Sequence, residues 1–108
     1  MARAAEMRAL EVSALAEDFA GCAIVTQPIP NPKPGEVLVR VRAAALGFPA
    51  LLMTRGAYQH KPDLPFVLGG DLAGEVLALG GGVTNVAIGA RIATGALSGA
   101  FAEYCAVP

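Results

Sequence analysis

The stretch "EVLVRVRAAA", residues 36–45, carries the clearest secondary-structure signal in this chain of 108 residues. Val37, Val39, Val41 and Ala43 fall on one face of an extended chain, and Arg40 and Arg42 fall on the other. An apolar residue at every second position is typical of a β-strand that buries one face. The stretch therefore predicts a half-buried strand, and with it a fold built on sheets.

The segments on either side of this strand change character abruptly. Before it, "PIPNPKPG" (28–35) holds four prolines, which cannot donate ladder hydrogen bonds, so we expect an extended crossing closed by a turn at Pro34 and Gly35. After it, "GFPALLMTRG" (47–56) places Pro49 in a first helical turn and offers Gly56 as the stop. We therefore predict one or two helical turns between strands.

The rest of the chain reads as further short strands separated by glycine and proline. These strands are predicted over Met7–Ser13, Ala23–Gln27, Leu72–Gly80, Arg91–Thr94 and Ala100–Val107. Short strands with a turn every 8 to 12 residues are typical of a small barrel or sandwich. The predicted fold class is mainly β, with one or two short helices.

Composition restricts the classes of function. Hydrophobic residues make up 55% of the chain and charged residues 16%, and the net charge is −1 without a basic cluster, so nucleic acid is not an expected partner. The longest uncharged run, residues 76–90, is interrupted by glycines and too short to cross a bilayer, so no membrane partner is expected. The first residues lack a signal-peptide pattern, which favours a cytoplasmic protein. Cys22 and Cys105 are isolated, and no disulfide is predicted.

Three motifs in a fixed order resemble one enzyme family. "PGEVLVRV", "RGAYQHKPDLPFVLGGDLAGEV" and "GAFAEYCAVP" together resemble the medium-chain dehydrogenase/reductase superfamily, in its zinc-independent quinone oxidoreductase branch. The resemblance covers residues 7–108 and leaves residues 1–6 as an N-terminal extension. It implies a GroES-like β-barrel. The nucleotide-binding Rossmann domain of such enzymes is not expected here, because no G-x-G-x-x-G turn occurs in the chain. The resemblance thus implies a truncated catalytic domain that is inactive alone.

The resemblance also says what to expect of metals. Zinc-dependent relatives hold the ion through a cysteine after the central strand and a His-Glu pair, and Gly47 and Gly70-Asp71 occupy those positions here. Glycine offers no ligand, so no zinc site is predicted. We expect Asp71 to be buried, held by backbone donors and structural in role, and the alternative that it faces the cleft stays open. Gly69 and Gly74 are expected to serve a backbone bend and close strand packing.

For the cofactor, the resemblance implies a cleft lined by Gly47, Phe48 and Tyr58, of which Phe48 and Tyr58 would also contact substrate. The polar asparagine and aspartate of the family pattern are replaced by Gly47 and Ala50. Two other interpretations stay open: Phe48 as an ordinary core aromatic, and Tyr58 as a loop residue that caps the core. His60 is expected to be a solvated loop residue, and no catalytic residue is assigned.

Two classes of function remain. The first is the N-terminal portion of an NADPH-dependent oxidoreductase that transfers hydride to a quinone or an α,β-unsaturated carbonyl without zinc, and that forms a homo-oligomer. In this class a reductase that kept the fold but lost its polar cleft is a weaker variant. The alternative is a stand-alone GroES-like module that binds a partner or itself without catalysis.

Overall fold

The computed structural model describes residues 6–16, 18–59, 61–96 and 98–108. Residues 1–5 of the expected extension and His60 lie outside this part of the chain, whereas Glu6 begins the first strand. The described residues form strands and one short helix in the following order: β1 (Glu6–Val12), β2 (Cys22–Pro28), β3 (Val37–Ala44), α1 (Phe48–Arg55), β4 (Phe66–Val67), β5 (Asp71–Leu79), β6 (Arg91–Gly95) and β7 (Tyr104–Val107).

The strands make two antiparallel sheets, one in the order β2-β1-β4 and the other in the order β6-β5-β3-β7. The segment before β7 joins them, because Leu10 in β1 donates its N–H to the carbonyl of Phe101 (2.8 Å) and Ala9 bridges to Ala102. The prediction of a mainly β fold is confirmed. No Rossmann domain is present among the described residues, and no helix there is long and apolar enough to cross a membrane.

Strand β3 confirms the buried face predicted for it and adds to it. Val37 and Val39 are buried in a cluster with Leu72 and Val76 of the neighbouring strand β5. Leu38, on the opposite face, is also fully buried. In the second half of the strand only Val41 is partly buried, and both arginines are exposed. The predicted burial of Ala43 is wrong, because the pairing with β5 shifts register between Val41 and Ala43 and Ala43 is exposed.

The turn and helix signals that flank β3 are confirmed. Glu36 donates its N–H to the carbonyl of Lys33 (2.9 Å) across a turn in which Gly35 has φ +82°. Helix α1 begins after Gly47, carries Pro49 in its first turn and ends at Gly56 with φ +72°. Because glycine has no Cβ, it adopts this left-handed conformation without steric cost and stops the helix.

The two glycines expected at a bend and at a close approach are placed as predicted. Gly69 turns the chain between β4 and β5 with φ +108°. Gly74 lies within β5, where a Cβ would overlap the carbonyl oxygen of Arg40 on β3. Any side chain at position 74 would push the two central strands apart.

Candidate functional site

An open apolar pocket of about 300 Å³ lies at the N-terminal end of helix α1. Four segments build it: the link from β3 to α1, one face of α1, the loop between β1 and β2, and the link from β4 to β5. The loop is fastened to the helix because Ala16 donates its N–H to the carbonyl of Thr54 (2.9 Å). The lining residues are Phe19, Leu46, Gly47, Phe48, Leu51, Thr54 and Leu68.

The structure brings Gly47 and Phe48 together at this pocket. Phe48 is 68% exposed, which excludes the interpretation that it is an ordinary core aromatic. Leu46, just before it, is 79% exposed. Exposed large apolar side chains that gather around a concave surface are typical of a binding site. The assignment of Gly47 and Phe48 to a cofactor stays a prediction.

Tyr58 is placed elsewhere. It is partly buried and packs against the core cluster that includes Val12, Ala50 and Met53. It is not among the residues that line the pocket in the described part of the chain. This position agrees with a tyrosine that caps the core, and the cleft role implied by the resemblance is not tested by it.

The two positions that carry zinc ligands in zinc-dependent relatives meet at one end of the larger sheet. Ala44 pairs with Leu72, and Ala45 donates its N–H to the carbonyl of Asp71 (3.1 Å), so the segment of Gly47 runs beside that of Gly70. Neither glycine offers a ligand atom from a side chain. Within the residues that the structure covers, no group of three or more His, Cys, Asp or Glu side chains is placed to hold a metal ion. These residues do not fit the zinc centre of the relatives.

The expectation that Asp71 is buried and held by backbone donors is wrong. Asp71 is exposed, and over the described residues its carboxylate has no hydrogen-bond partner. The reason is strand alternation: Asp71 begins β5, and the buried position is that of the next residue, Leu72. The Asp71 side chain borders a separate, larger hollow of about 630 Å³ that also involves Gly70, Gly95 and Ser98.

The sequence did not reveal Phe19 as a pocket residue. Phe19 has φ +63° and is the non-glycine residue with a left-handed backbone in the described chain. Its carbonyl accepts the N–H of Cys22 (3.0 Å), which holds the turn that enters β2. A single aromatic in a loop of polar and small residues gives no periodic signal. Its place beside α1 depends on contacts between segments far apart in the chain.

The electrostatics of the pocket are simple. No charged side chain lines it, and the one hydroxyl, that of Thr54, donates to the carbonyl of Leu51 (2.7 Å). The shifted titratable groups lie outside this lining. The hydrogen bond from the N–H of Arg8 lowers the pKa of Glu103, and burial raises the pKa of the Cys105 thiol. The pocket can hold an uncharged apolar group, and its side chains supply no general acid or base.

Comparison with known proteins gives the following similarities. Residues 33–108 match the family described as the alcohol dehydrogenase GroES-like domain. A synaptic vesicle membrane protein VAT-1 homolog of Rattus norvegicus is 40% identical over 79 residues, which are 73% of this chain and 20% of the relative. A quinone oxidoreductase of Pongo abelii is 35% identical over 77 residues, which are 70% of this chain and 23% of the relative. The chain thus spans about a fifth of the length of these relatives.

Solved structures share the fold over nearly all of the chain. A mycobacterial protein in complex with NADPH superposes with a TM-score of 0.83 at 34% identity, over 94% of this chain and 31% of that one. A thermostable alcohol dehydrogenase from Pyrobaculum aerophilum, with cobalt and zinc bound, superposes with a TM-score of 0.83 at 27% identity, over 95% of this chain and 39% of that one. The neighbours therefore include both a protein solved with a nicotinamide cofactor and a protein solved with metals.

Proposed function

Because the chain belongs to the alcohol dehydrogenase GroES-like domain family, in the quinone oxidoreductase branch of the medium-chain dehydrogenase/reductase superfamily, we propose that it forms the apolar side of the cleft of an NADPH-dependent oxidoreductase. The substrate in this proposal is a quinone or an α,β-unsaturated carbonyl. The observation that carries it is the pocket at Gly47 and Phe48, which is open, apolar and uncharged. The mycobacterial neighbour solved with NADPH supports the choice of cofactor.

The chemistry asks little of the side chains. NADPH supplies the hydride when it is bound, and the protein has to orient the reacting groups and exclude water. The exposed ring of Phe48 and the bare backbone of Gly47 would pack against flat apolar groups. Tyr58 is retained as a third contact with cofactor and substrate, by resemblance. The lack of a general acid or base in the pocket is compatible with this reaction.

The proposal includes zinc independence. Gly47 and Gly70 replace two ligands, and the one carboxylate nearby, that of Asp71, is exposed and borders a different hollow. A zinc ion needs three protein ligands or more to be held firmly. An alcohol dehydrogenase with the same fold was solved with cobalt and zinc bound, so zinc independence needs a direct test.

The residues described here would not turn over on their own. Both sheets are antiparallel, and in these ranges no strand is joined to a helix by a G-x-G-x-x-G turn that could bind a pyrophosphate. We expect the 108-residue chain alone to show no NADPH oxidation. The activity belongs to the longest natural translation product that contains these residues.

The test is NADPH oxidation by that translation product with 1,4-naphthoquinone, followed at 340 nm. We expect turnover that survives dialysis against EDTA, and a KM for the quinone that rises about tenfold in Phe48→Ala. Ile88→Ala is the matched control, because Ile88 is similarly exposed but lies outside the pocket. Loss of turnover on chelation would refute zinc independence, and no turnover in a folded product would refute the function.

A second candidate function is self-association without catalysis, in a cytoplasmic homo-oligomer. The observation that favours it is strand β2, which is the edge of its sheet, carries no charged residue and exposes Ile24 at 68%. Such an edge can pair with a second copy. We expect sedimentation velocity to show a dimer that Ile24→Lys dissociates. A monomer at all concentrations would refute this candidate.

A further inference from the structure

Phe19 combines three features that the proposed function does not use. It has a left-handed backbone (φ +63°), its side chain is 46% exposed, and it lines the same pocket as Phe48 from the loop between β1 and β2. An aromatic residue in this backbone conformation is strained. A strained backbone persists only where the surrounding structure holds it in place, and such residues cluster at sites that clamp a ligand.

The surroundings do hold Phe19 in place. The carbonyl of Phe19 accepts the N–H of Cys22 at 3.0 Å, and the N–H of Ser13 is bonded to the carbonyl of Gly21 at 2.9 Å. Asp18 caps the same turn by accepting the N–H of Ala20 (3.1 Å). The loop therefore presents the Phe19 ring to the pocket from a fixed backbone.

The size of the pocket indicates what fits beside that ring. An apolar cavity of about 150 Å³ accepts one benzene ring. The pocket, at about 300 Å³, has room for about two fused rings. Its lining has no charged side chain, and its hydroxyl at Thr54 already donates to a carbonyl. A carboxylate or phosphate placed here would lose water without gaining a charged or hydrogen-bonding side chain as a partner.

We propose that Phe19 is a specificity-determining residue that, together with Phe48, selects an uncharged group of two fused rings. This inference rests on the proposed function, because it names the class of acceptor that the cleft takes. A naphthoquinone-sized acceptor is therefore expected to bind more tightly than a single-ring quinone, and acceptors whose ring carries an ionised group are not expected to bind. Phe19 acts by contact with the ring of the acceptor.

The test is direct binding to the 108-residue chain, without NADPH, by ¹H–¹⁵N NMR titration. The probes are chemically inert: 2-naphthalenemethanol, benzyl alcohol and 2-naphthoate. We expect 2-naphthalenemethanol to shift the amides of Gly47, Leu51 and Leu68 and to bind about tenfold more tightly than either other probe. Binding of 2-naphthoate equal to that of the alcohol, or shifts confined to residues outside the pocket, would overturn the inference.

Variants separate Phe19 from the rest of the pocket. Phe19→Gly accepts the left-handed backbone, so the loop is retained, and we expect it to weaken 2-naphthalenemethanol binding about tenfold while benzyl alcohol binding changes less. Phe19→Tyr keeps an aromatic ring and should bind 2-naphthalenemethanol as the wild type does. Ile88→Ala should also leave this binding unchanged. Equal effects of Phe19→Gly and Ile88→Ala would refute a role for Phe19. Ring selection without NADPH turnover would refute the proposed function alone, and turnover without ring selection would refute this inference alone.

Discussion

Replacing Gly69 with alanine should destabilise the fold by about 2–5 kcal/mol. Gly69 has φ +108°, where a residue with a Cβ is strained by about 1–2 kcal/mol. A Cβ at this position would also lie 2.8 Å from the backbone nitrogen of Phe101. That nitrogen donates to Leu68 and cannot move freely, so crowding adds about 1–3 kcal/mol. The free energy of unfolding of a domain of this size is about 5–15 kcal/mol in total, so Gly69→Ala should lose a large part of its stability.

The adjacent Gly70 provides the matched control. Its backbone is not left-handed, and the nearest atom to a Cβ there is the carbonyl oxygen of Ala96 at 3.3 Å. Gly70→Ala should therefore change the free energy of unfolding by less than about 1 kcal/mol. Urea unfolding followed by circular dichroism measures both, and with a slope of about 1–3 kcal/mol per molar the midpoint of Gly69→Ala should fall by about 1–3 M. Equal midpoints for the two variants would show that neither the left-handed backbone at Gly69 nor its contact with Phe101 limits stability.

Three further predictions concern charge, thiols and the left-handed loop. The hydrogen bond from the N–H of Arg8 lowers the pKa of Glu103 in the folded state. The ionised Glu103 side chain therefore adds stability above the pKa it has in the unfolded chain, and this stability is lost as pH falls through the folded pKa. Below about pH 4, the urea midpoint of Glu103→Gln should fall less than that of the wild type. Iodoacetamide at pH 8 should alkylate Cys22 before Cys105 in peptide mass spectra. Burial raises the pKa of both thiols, but Cys105 is buried whereas Cys22 is partly exposed and can be reached by the reagent; the reverse order would contradict the described packing. Both Phe19→Gly and Phe19→Ala remove the ring, but only glycine adopts φ +63° without strain. The free energy of unfolding of Phe19→Gly should therefore be about 1 kcal/mol higher than that of Phe19→Ala, as measured by urea unfolding.

Much of the fold could be predicted because its signals are local. The alternation in β3, the proline in the first turn of α1 and the left-handed glycines at 35 and 56 each depend on neighbours within a few residues. The two free cysteines were also expected from their isolation in the chain. Burial of Leu38 on the second face of β3 was not predicted, because alternation along a strand assigns only one face to the interior.

The site was predicted less completely, for a related physical reason. Gly47 and Phe48 were implied by the resemblance to the family, and the pocket is lined by both. Phe19 comes from a loop whose position is fixed by a hydrogen bond between Ala16 and Thr54, which no local pattern reveals. Asp71 was misjudged because two glycines beside it suggested burial, whereas the strand register points it outward.

In the proposed function, Gly47 and Phe48 at the edge of the pocket contact the nicotinamide ring of NADPH, and the interior of the pocket takes the acceptor. The most direct measurement is a nuclear Overhauser contact between the ring protons of Phe48 and the C4 protons of NADPH bound to the longest natural translation product. We expect this contact, together with a shift of the Gly47 amide and no change at the turn of Gly35, which lies outside the pocket. NADPH that binds with no contact to Phe48 and no shift at Gly47 would contradict it.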